Sequence, residues 1–473
     1  MYVDSVRLRD VKCFADVKLE LQSTAKVKTS PKDKDRQPNW NVILGENGDG
    51  KTSLLHGIAA CLMDVTTADR MLKPDGWVRE GAELGRLNAT LVREASDRVL
   101  TRNGGPNPSH RVEYHVLDAG KKANDKYRPT GGIVLPDMLS GGVDSVKDLQ
   151  NLTMDLDYLR PNAFSREPAR GWFSAGYGPY RRLATSRDVA PSDDALACRF
   201  VTLFEESASL ADCEAWLKEM ERRALKSPER SHRRAMLEEI KQTIAKLLPE
   251  VDDLSIEDEV SFLVRGKKVR TNHLSHGYRS MFALSIDILR YLEFTRPIPL
   301  HGVLNELPGV VLIDEVDAHL HPMWQRKIGF WLCEAFPNLQ FIVTSHSPFV
   351  AMAAAPGGLT VLKRDPQEGT VTAHQDVPDI RGWAADRVLT ELFDMASLRD
   401  PVTETKLARY EDLRTKRASG KLGPRLAEEL KALETELNVQ LAGEADSPNQ
   451  RLLTESFEYF AAGGQAPKAK KRA

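Results

Sequence analysis

Apolar residues alternate with polar ones from the start of the chain. Val3, Val6 and Leu8, then Phe14, Val17 and Leu19, predict two short strands within residues 1–22. Residues 23–38 are polar, rich in Lys and Pro, and predict an exposed loop. A short apolar strand over 41–44 runs into a glycine-rich segment, and a helix is expected from Thr52 to Met63. Residues 84–100 alternate as strands do, whereas 103–131 is rich in Gly, Pro and Asn and predicts an irregular excursion. Over 195–248 the apolar residues Phe200, Leu203, Phe204 and then Leu237, Ile240, Ile244 and Leu247 fall at helical spacing, with a break at Ser227-Pro228. Residues 260–264 and 268–271 predict a hairpin, and 277–294 a long helix. Residues 310–313 and 340–344 are continuous apolar runs, the pattern of a sheet covered on both faces. From Arg381 the pattern is helical and, over 404–441, strongly charged; residues 467–473 form a basic tail expected to be disordered. No internal repeat is visible. The expected class is α/β, a mixed sheet flanked by helices. Residues 1–194 and 256–375 form its two halves, 195–255 a helical insertion and 376–473 a helical C-terminal region.

Chemistry concentrates where strands end. Gly45-Glu46-Asn47-Gly48-Asp49-Gly50-Lys51-Thr52 fits GxxxxGKT without a gap, with a strand before it and a helix after it. The glycines let backbone N–H groups turn inward around phosphates, and the helix N-terminus adds favourable partial charge. The pattern assigns Gly45, Asn47, Gly48, Gly50, Lys51, Thr52 and Ser53 to ATP binding. Lys51 would reach the β- and γ-phosphates, and the Thr52 hydroxyl would ligate Mg2+. The bland alternative, a Gly-rich turn, does not call for Lys-Thr at its end.

The run Val310-Val311-Leu312-Ile313 ends in Asp314 and Glu315. Asp314 would hold Mg2+ through water, and Glu315 would polarise the attacking water. Buried strands ending in an acidic turn are common, so this motif takes its meaning from the phosphate loop. Leu274-Ser275-His276-Gly277-Tyr278-Arg279-Ser280 opens the long helix. Ser275 and the Gly277 backbone would bind a γ-phosphate there, although Ser275 is also a good N-cap for any helix. Thr344-Ser345-His346-Ser347-Pro348 follows a buried strand, where His346 either faces the nucleotide or caps the strand end. A zinc site formed by His319, His321 and His346 lacks a fourth ligand.

Composition narrows the setting. With 473 residues and 41% hydrophobic content, a sizeable core is available. The 66 basic and 68 acidic residues leave a net charge of −2, which argues against a wholesale nucleic-acid coat while leaving a local basic patch open. The apolar runs are too short to span a bilayer, and Asp4, Arg7, Arg9 and Asp10 interrupt any signal peptide. Five scattered cysteines without a CxxC pair are expected to be free thiols in a reducing cytoplasm.

Taken together, GENGDGKT, LSHGYRS, VVLIDEVDAHLHPMWQ and FPNLQFIVTSHSP resemble the RecF/SMC-like branch of ABC ATPases. More narrowly they resemble the stand-alone AAA-family ATPases of bacterial anti-phage systems: Septu ATPases, retron-associated ATPases and the ATPase half of OLD-family proteins. The opening residues 6–14 resemble that branch's first strand pair, and His319-Leu320-His321-Pro322 occupies its D-loop position. The resemblance implies an ABC-type P-loop fold that hydrolyses ATP with Mg2+. Lys51, Glu315 and His346 would be catalytic, with His346 against the γ-phosphate, and Thr52 and Asp314 would serve the metal. Ser275 and Gly277 would complete the site of a second chain, giving a head-to-tail homodimer. A partner effector such as a separate nuclease is implied, DNA is possible, and no membrane is involved. The alternative is a RecF-like DNA-repair or maintenance ATPase. A transporter ATPase is disfavoured by LSHGYRS in place of LSGGQ and by HLHP.

Two departures stand out. Residues 172–182, where the Q-loop should fall, carry no glutamine, and Gln150 is the nearest candidate. The interval from Thr52 to Ser275 is also too short for SMC-type arms and shows no sustained heptad. Arg181 and Arg182 follow a Gly-Pro turn: either surface or salt-bridge donors, or contacts to nucleotide phosphate or DNA backbone. No nuclease motif is visible after residue 360. The helical stretch 381–460 either docks a partner or packs on the ATPase core.

Overall fold

A computed structural model describes residues 2–24, 37–63, 65–73, 76–82, 84–92, 109–117, 131–135, 173–182, 199–210, 213–228, 232–248, 251–257, 259–295, 305, 307–395, 397–420 and 422–441. Most of the polar loop expected over 23–38, the Q-loop candidate Gln150 and the basic tail lie outside the described residues. The N-terminal elements are β1 (Tyr2–Val11), β2 (Phe14–Glu20), β3 (Trp40–Leu44), α1 (Lys51–Cys61), α2 (Val65–Leu72), β4 (Leu84–Val92), β5 (Ser109–Leu117), β6 (Gly131–Leu135) and β7 (Phe173–Tyr177). Then come α3 (Val201–Phe204), α4 (Cys213–Leu225), α5 (His232–Leu247), β8 (Val251–Ile256), β9 (Val260–Val264), β10 (Lys267–Arg270) and α6 (His276–Thr295). The chain continues through β11 (Gly309–Ile313), α7 (Pro322–Gln325), α8 (Ile328–Ala335), β12 (Leu339–Ser345), α9 (Pro348–Ala351), β13 (Leu359–Arg364) and β14 (Val371–His374). It ends in α10 (Ala385–Leu392), α11 (Pro401–Ala418) and α12 (Pro424–Leu441).

One sheet has the order β14-β13-β3-β12-β11-β7, parallel throughout except at the antiparallel edge strand β14. Its strands β3, β7, β11 and β12 are buried along their whole length, which explains why their sequences read as unbroken apolar runs. A second sheet, β2-β1-β4-β5-β6, is antiparallel. Strand β5 corrects the expectation of an irregular excursion over 103–131: it pairs with β4 from Leu84↔Leu117 to Val92↔Ser109. The alternation of Val112, Tyr114 and Val116 was obscured by the Gly, Pro and Asn residues on either side. A small third sheet, β10-β9-β8, contains the expected hairpin.

Helix α1 joins the two larger sheets. It buries Leu54, Leu55, Ile58, Ala59, Ala60 and Cys61 and is apolar nearly all round, as a helix enclosed by other elements must be. A side chain at Gly57 would stand 3.2 Å from both Leu8 Cδ2 and Leu87 Cδ2, so glycine lets α1 approach the antiparallel sheet. Truncating Leu54, which is fully buried, to Ala is expected to cost about 2–5 kcal/mol of stability, read from denaturant melts. A polar bolt also ties the sheets: the Gln340 amide accepts from Val3 N (2.8 Å) and donates to the Val3 (2.8 Å) and Gln22 (3.0 Å) carbonyls.

The chain divides into two compact units, residues 1–388 and 389–473. Residues past β14 still belong to the first, because the Gln375 amide accepts from Glu20 N (2.8 Å) and donates to Glu20 O (2.7 Å). Within the second unit α11 and α12 are bridged by Lys406–Glu436 (2.6 Å) and Arg409–Glu429 (2.8 Å). The Asp400 carboxylate caps α11 by accepting from Val402 N and Thr403 N. Among the described residues no helix is long and apolar enough to cross a membrane. Cys13, Cys61, Cys213 and Cys333 are free thiols.

Candidate active site

The segments Gly45–Thr52, Asp314–Glu315 and Ser345–Ser347 all emerge at the same end of the parallel sheet. They follow β3, β11 and β12, the end where ligands bind in open α/β sheets. Within the phosphate loop Gly48 (φ 88°) and Gly50 (φ 81°) adopt left-handed backbone that other residues resist. Gly50 is doubly constrained, since a Cβ there would lie 2.5 Å from Cys13 Sγ and 2.9 Å from Phe14 Cζ. The Lys51 ammonium donates to the Gly45 (2.9 Å) and Glu46 (2.8 Å) carbonyls, which folds it back across the loop. Burial lowers its pKa, and the charges of Asp49, Asp314 and Glu315 oppose that shift. Two residues that motif reasoning had not used as site residues shape the loop. The buried Asp49 carboxylate accepts from Glu46 N (2.7 Å), and Arg364, at the end of β13, pairs with Asp49 (3.7 Å) and donates to the Gly48 carbonyl. No local sequence signal links Arg364 to a loop so far away along the chain.

The acid strand β11 is not the neighbour of β3; β12 runs between them. That placement gives Thr344 a pivotal position. Its hydroxyl donates to Asp314 Oδ1 (2.5 Å) and accepts from the Glu315 N–H (2.8 Å). The other Asp314 oxygen accepts from the Thr52 hydroxyl (2.7 Å), and the Asp314 N–H donates to the Tyr177 carbonyl (2.7 Å). Thr52 and Asp314 are thus brought together as hard oxygen donors of the kind Mg2+ takes. Glu315 stands at φ 44° and His319 at φ 64°, left-handed values costing roughly 1–2 kcal/mol per non-glycine residue. Such strain clusters where function requires a particular geometry. Thr344 lies within the TSHSP motif, but the motif by itself pointed only to His346.

His346 is half-buried. Burial first, and the charge of Lys51 second, lower its pKa, so the imidazole is neutral at neutral pH. The serines on either side wire its loop to the turn after Glu315. The Ser345 hydroxyl donates to Asp317 (2.7 Å), the Ser347 hydroxyl donates to Gln325 Oε1 (2.8 Å), and the Gln325 amide donates to the Leu320 carbonyl (3.0 Å). The same turn meets the start of α6, where a Cβ on Gly277 would lie 3.1 Å from the His319 carbonyl. Ser275 accepts only a long bond, 3.5 Å, from Tyr278 N, a weak N-cap contact. The described contacts of Ser275 and Gly277 are with their own helix and this turn, not with the phosphate loop. The zinc alternative fails among the described residues: no histidine cluster able to hold a metal forms, and His321 Nδ1 instead accepts from Met323 N (3.3 Å). Arg182 is exposed and lies over the Tyr180 ring, whereas Arg181 is buried.

Titration near the site has a defined sign. His56, one turn along α1 from Thr52, stacks on Phe204 (4.3 Å) and donates through Nε2 to the Leu203 carbonyl (2.9 Å). Burial lowers its pKa too. As pH falls through the ordinary histidine value of 6.5, the unfolded chain binds protons that folded His56 and His346 decline, so stability drops. It is fully present above 6.5 and lost toward the lower folded values. Melting temperatures followed from pH 7.5 to pH 5 are expected to decline with a slope that His56→Phe reduces; an unchanged slope would contradict this.

Comparisons with known proteins place these features. Residues 210–353 match the family model described as "AAA domain, putative AbiEii toxin, Type IV TA system", and residues 5–145 match a model described as "AAA domain". Over those two stretches the chain is similar to AAA domains. It is 23% identical over 402 residues to the Septu protein PtuA of Bacillus mycoides, covering 83% of this chain and 44% of the relative. It is also 23% identical over 377 residues to the Retron Vc95 probable ATPase of Vibrio cholerae, covering 73% of this chain and 71% of the relative. The chain thus spans less than half the length of the Septu protein. Among solved structures, the SMC head domain from Thermotoga maritima matches with a TM-score of 0.41 and 14% identity, over 80% of this chain and all of the other.

Proposed function

We propose that this chain binds and hydrolyses ATP with Mg2+ in the cytoplasm, as the ATPase subunit of an anti-phage defence complex that gates a partner effector. The observation that carries the hydrolysis is the junction of Thr52, Asp314, Thr344 and Glu315, in which one threonine hydroxyl joins both acids and the metal-side oxygens lie together. Lys51 leaves the Gly45 and Glu46 carbonyls to meet the β- and γ-phosphates, while the N–H groups of residues 47–53 surround them. Thr52 and Asp314 would hold Mg2+, which offsets the charge of the phosphate oxygens. Glu315 orients water and takes its proton as the oxygen attacks the γ-phosphorus in line, while the bond from that phosphorus to the β–γ bridging oxygen breaks and ADP leaves with the bridging oxygen. Neutral His346 donates a hydrogen bond toward the γ-phosphate.

The likeness to Septu and retron ATPases supports the defence role. That likeness supports a partner protein, for example a separate nuclease, with DNA as a further candidate ligand. A RecF-like maintenance role is not favoured, because the chain is similar over most of its length to a Septu protein and a retron-associated probable ATPase.

Ser275 and Gly277 act at the nucleotide of a second chain, in a two-fold head-to-tail homodimer. Mixing tests this assembly. Lys51→Ala and Ser275→Arg chains, each inactive alone, are expected to recover a quarter or less of wild-type turnover when mixed, because about half of the dimers are then heterodimers and each of these keeps one undamaged site beside one damaged twice. Normal turnover by Ser275→Arg as a monomer would exclude the shared site.

A further inference from the structure

The Arg181 side chain has the most demanding environment near the site. The residue is only 5% exposed. All five of its N–H donors are engaged. Nε donates to the Ser280 hydroxyl (3.1 Å), and Nη1 to the Gly178 and Asp314 carbonyls (both 3.1 Å). Nη2 donates to the Glu315 (3.3 Å) and Val316 (3.4 Å) carbonyls. Desolvation lowers its pKa to about 10, partly offset by the nearby charges of Asp317, Asp314 and Glu315, so it remains a cation at neutral pH. A buried cation satisfied mainly by carbonyls is an expensive arrangement. Apolar packing alone would not select it.

The acceptors explain what that cost supports. Three of them are the consecutive carbonyls of Asp314, Glu315 and Val316, the backbone that carries Glu315 at φ 44°. Another is Ser280, one turn into α6 from the Ser275–Gly277 segment. The loop that delivers Arg181 is itself fixed: a Cβ on Gly178 would fall 2.2 Å from the Thr202 carbonyl, so the chain there lies flush against α3. A rigid, planar fork mounted on this loop therefore grips the acid turn with one side and α6 with the other.

We propose that Arg181 is a positioning residue for ATP hydrolysis, which sets the Glu315 backbone and couples it to the Ser280 turn of α6. This role rests on the ATPase function proposed above. It gives that function a control element: movement of α6 as its N-terminal end engages a nucleotide shifts the fork, and through it the carbonyls on either side of the Glu315 side chain. It also gives a purpose to an arginine that the sequence offered only as a surface cation or a phosphate contact.

The test uses the full chain and four variants: Arg181→Lys, Ser280→Ala, Glu315→Gln and the Arg181→Lys/Glu315→Gln double. Arg181→Lys keeps the charge but offers its donors from a single atom, so it cannot grip both sides. It is expected to leave ATP affinity within about threefold while kcat falls by up to about 100-fold, the scale of a 1 Å misplacement. Ser280→Ala removes only the link to α6 and is expected to lower kcat by about 2- to 10-fold, the worth of one hydrogen bond. In a Glu315→Gln background, Arg181→Lys is expected to change the residual turnover by less than about twofold, because the group it positions is gone. A purely structural role would instead multiply the two losses, and that result overturns the proposal. So does a folded Arg181→Lys with wild-type kcat. Should Arg181→Lys fail to fold, Ser280→Ala decides, and an unchanged kcat there overturns the coupling. A wild-type chain that binds ATP without ever turning it over would sink the hydrolytic function itself, a result distinguishable from all of these.

Discussion

Glu315→Gln is expected to bind ATP with nearly wild-type affinity and to turn it over about 10²- to 10⁴-fold more slowly, the usual range for loss of a general base. Glutamine has the shape of glutamate and keeps the backbone N–H that donates to Thr344, so the acid turn and the Asp314–Thr52 contact should survive. What disappears is the carboxylate that takes the proton of the attacking water. The ATP-bound state should therefore accumulate, and with it any dimer that ATP holds together. Single-turnover phosphate release measured beside a binding titration separates the two effects. Normal release in this variant would move the catalytic carboxylate elsewhere.

Lys51→Ala is expected to weaken ATP binding by at least about 100-fold, because two charge-assisted hydrogen bonds to phosphate are lost at about 1.5–3 kcal/mol each. The ammonium now occupied by the Gly45 and Glu46 carbonyls is the loop's own cation for this purpose, carried by a buried residue at the start of the helix. Its removal leaves those carbonyls at the mouth of the site, where water can reach Glu46, so the fold should hold and the melting temperature should change little. Calorimetry showing wild-type affinity would remove the phosphate-loop assignment.

Much of the candidate site's geometry was legible in the sequence because it is local. The Gly48 and Gly50 backbone angles, the Lys-Thr pair and the helix that follows are encoded within a few residues. The unbroken apolar runs announced β11 and β12 for a plain physical reason, since both faces of those strands are covered. What could not be read depends on strand order. Thr344 reaches Asp314 and Glu315 only because β12 runs beside β11, and no spacing in the chain encodes that adjacency. Arg364 at the phosphate loop and Arg181 beneath the acid turn are likewise long-range partners. Arg181 was also misleading on its face, because two arginines after Gly-Pro look like solvent-facing charge, and here one of them is buried while its neighbour stays exposed. Strand β5 was hidden by the glycines, prolines and asparagines on either side of a short alternating core.

The most direct test of the central claim, that residues Thr52, Asp314, Thr344 and Glu315 form an ATP-hydrolysing centre, is phosphate release from ATP by the purified full chain with and without Mg2+. The expected result is steady release with Mg2+ that stops when the metal is chelated and falls to background in Asp314→Asn. Release that persists unchanged in Asp314→Asn, or that ignores removal of Mg2+, would contradict it.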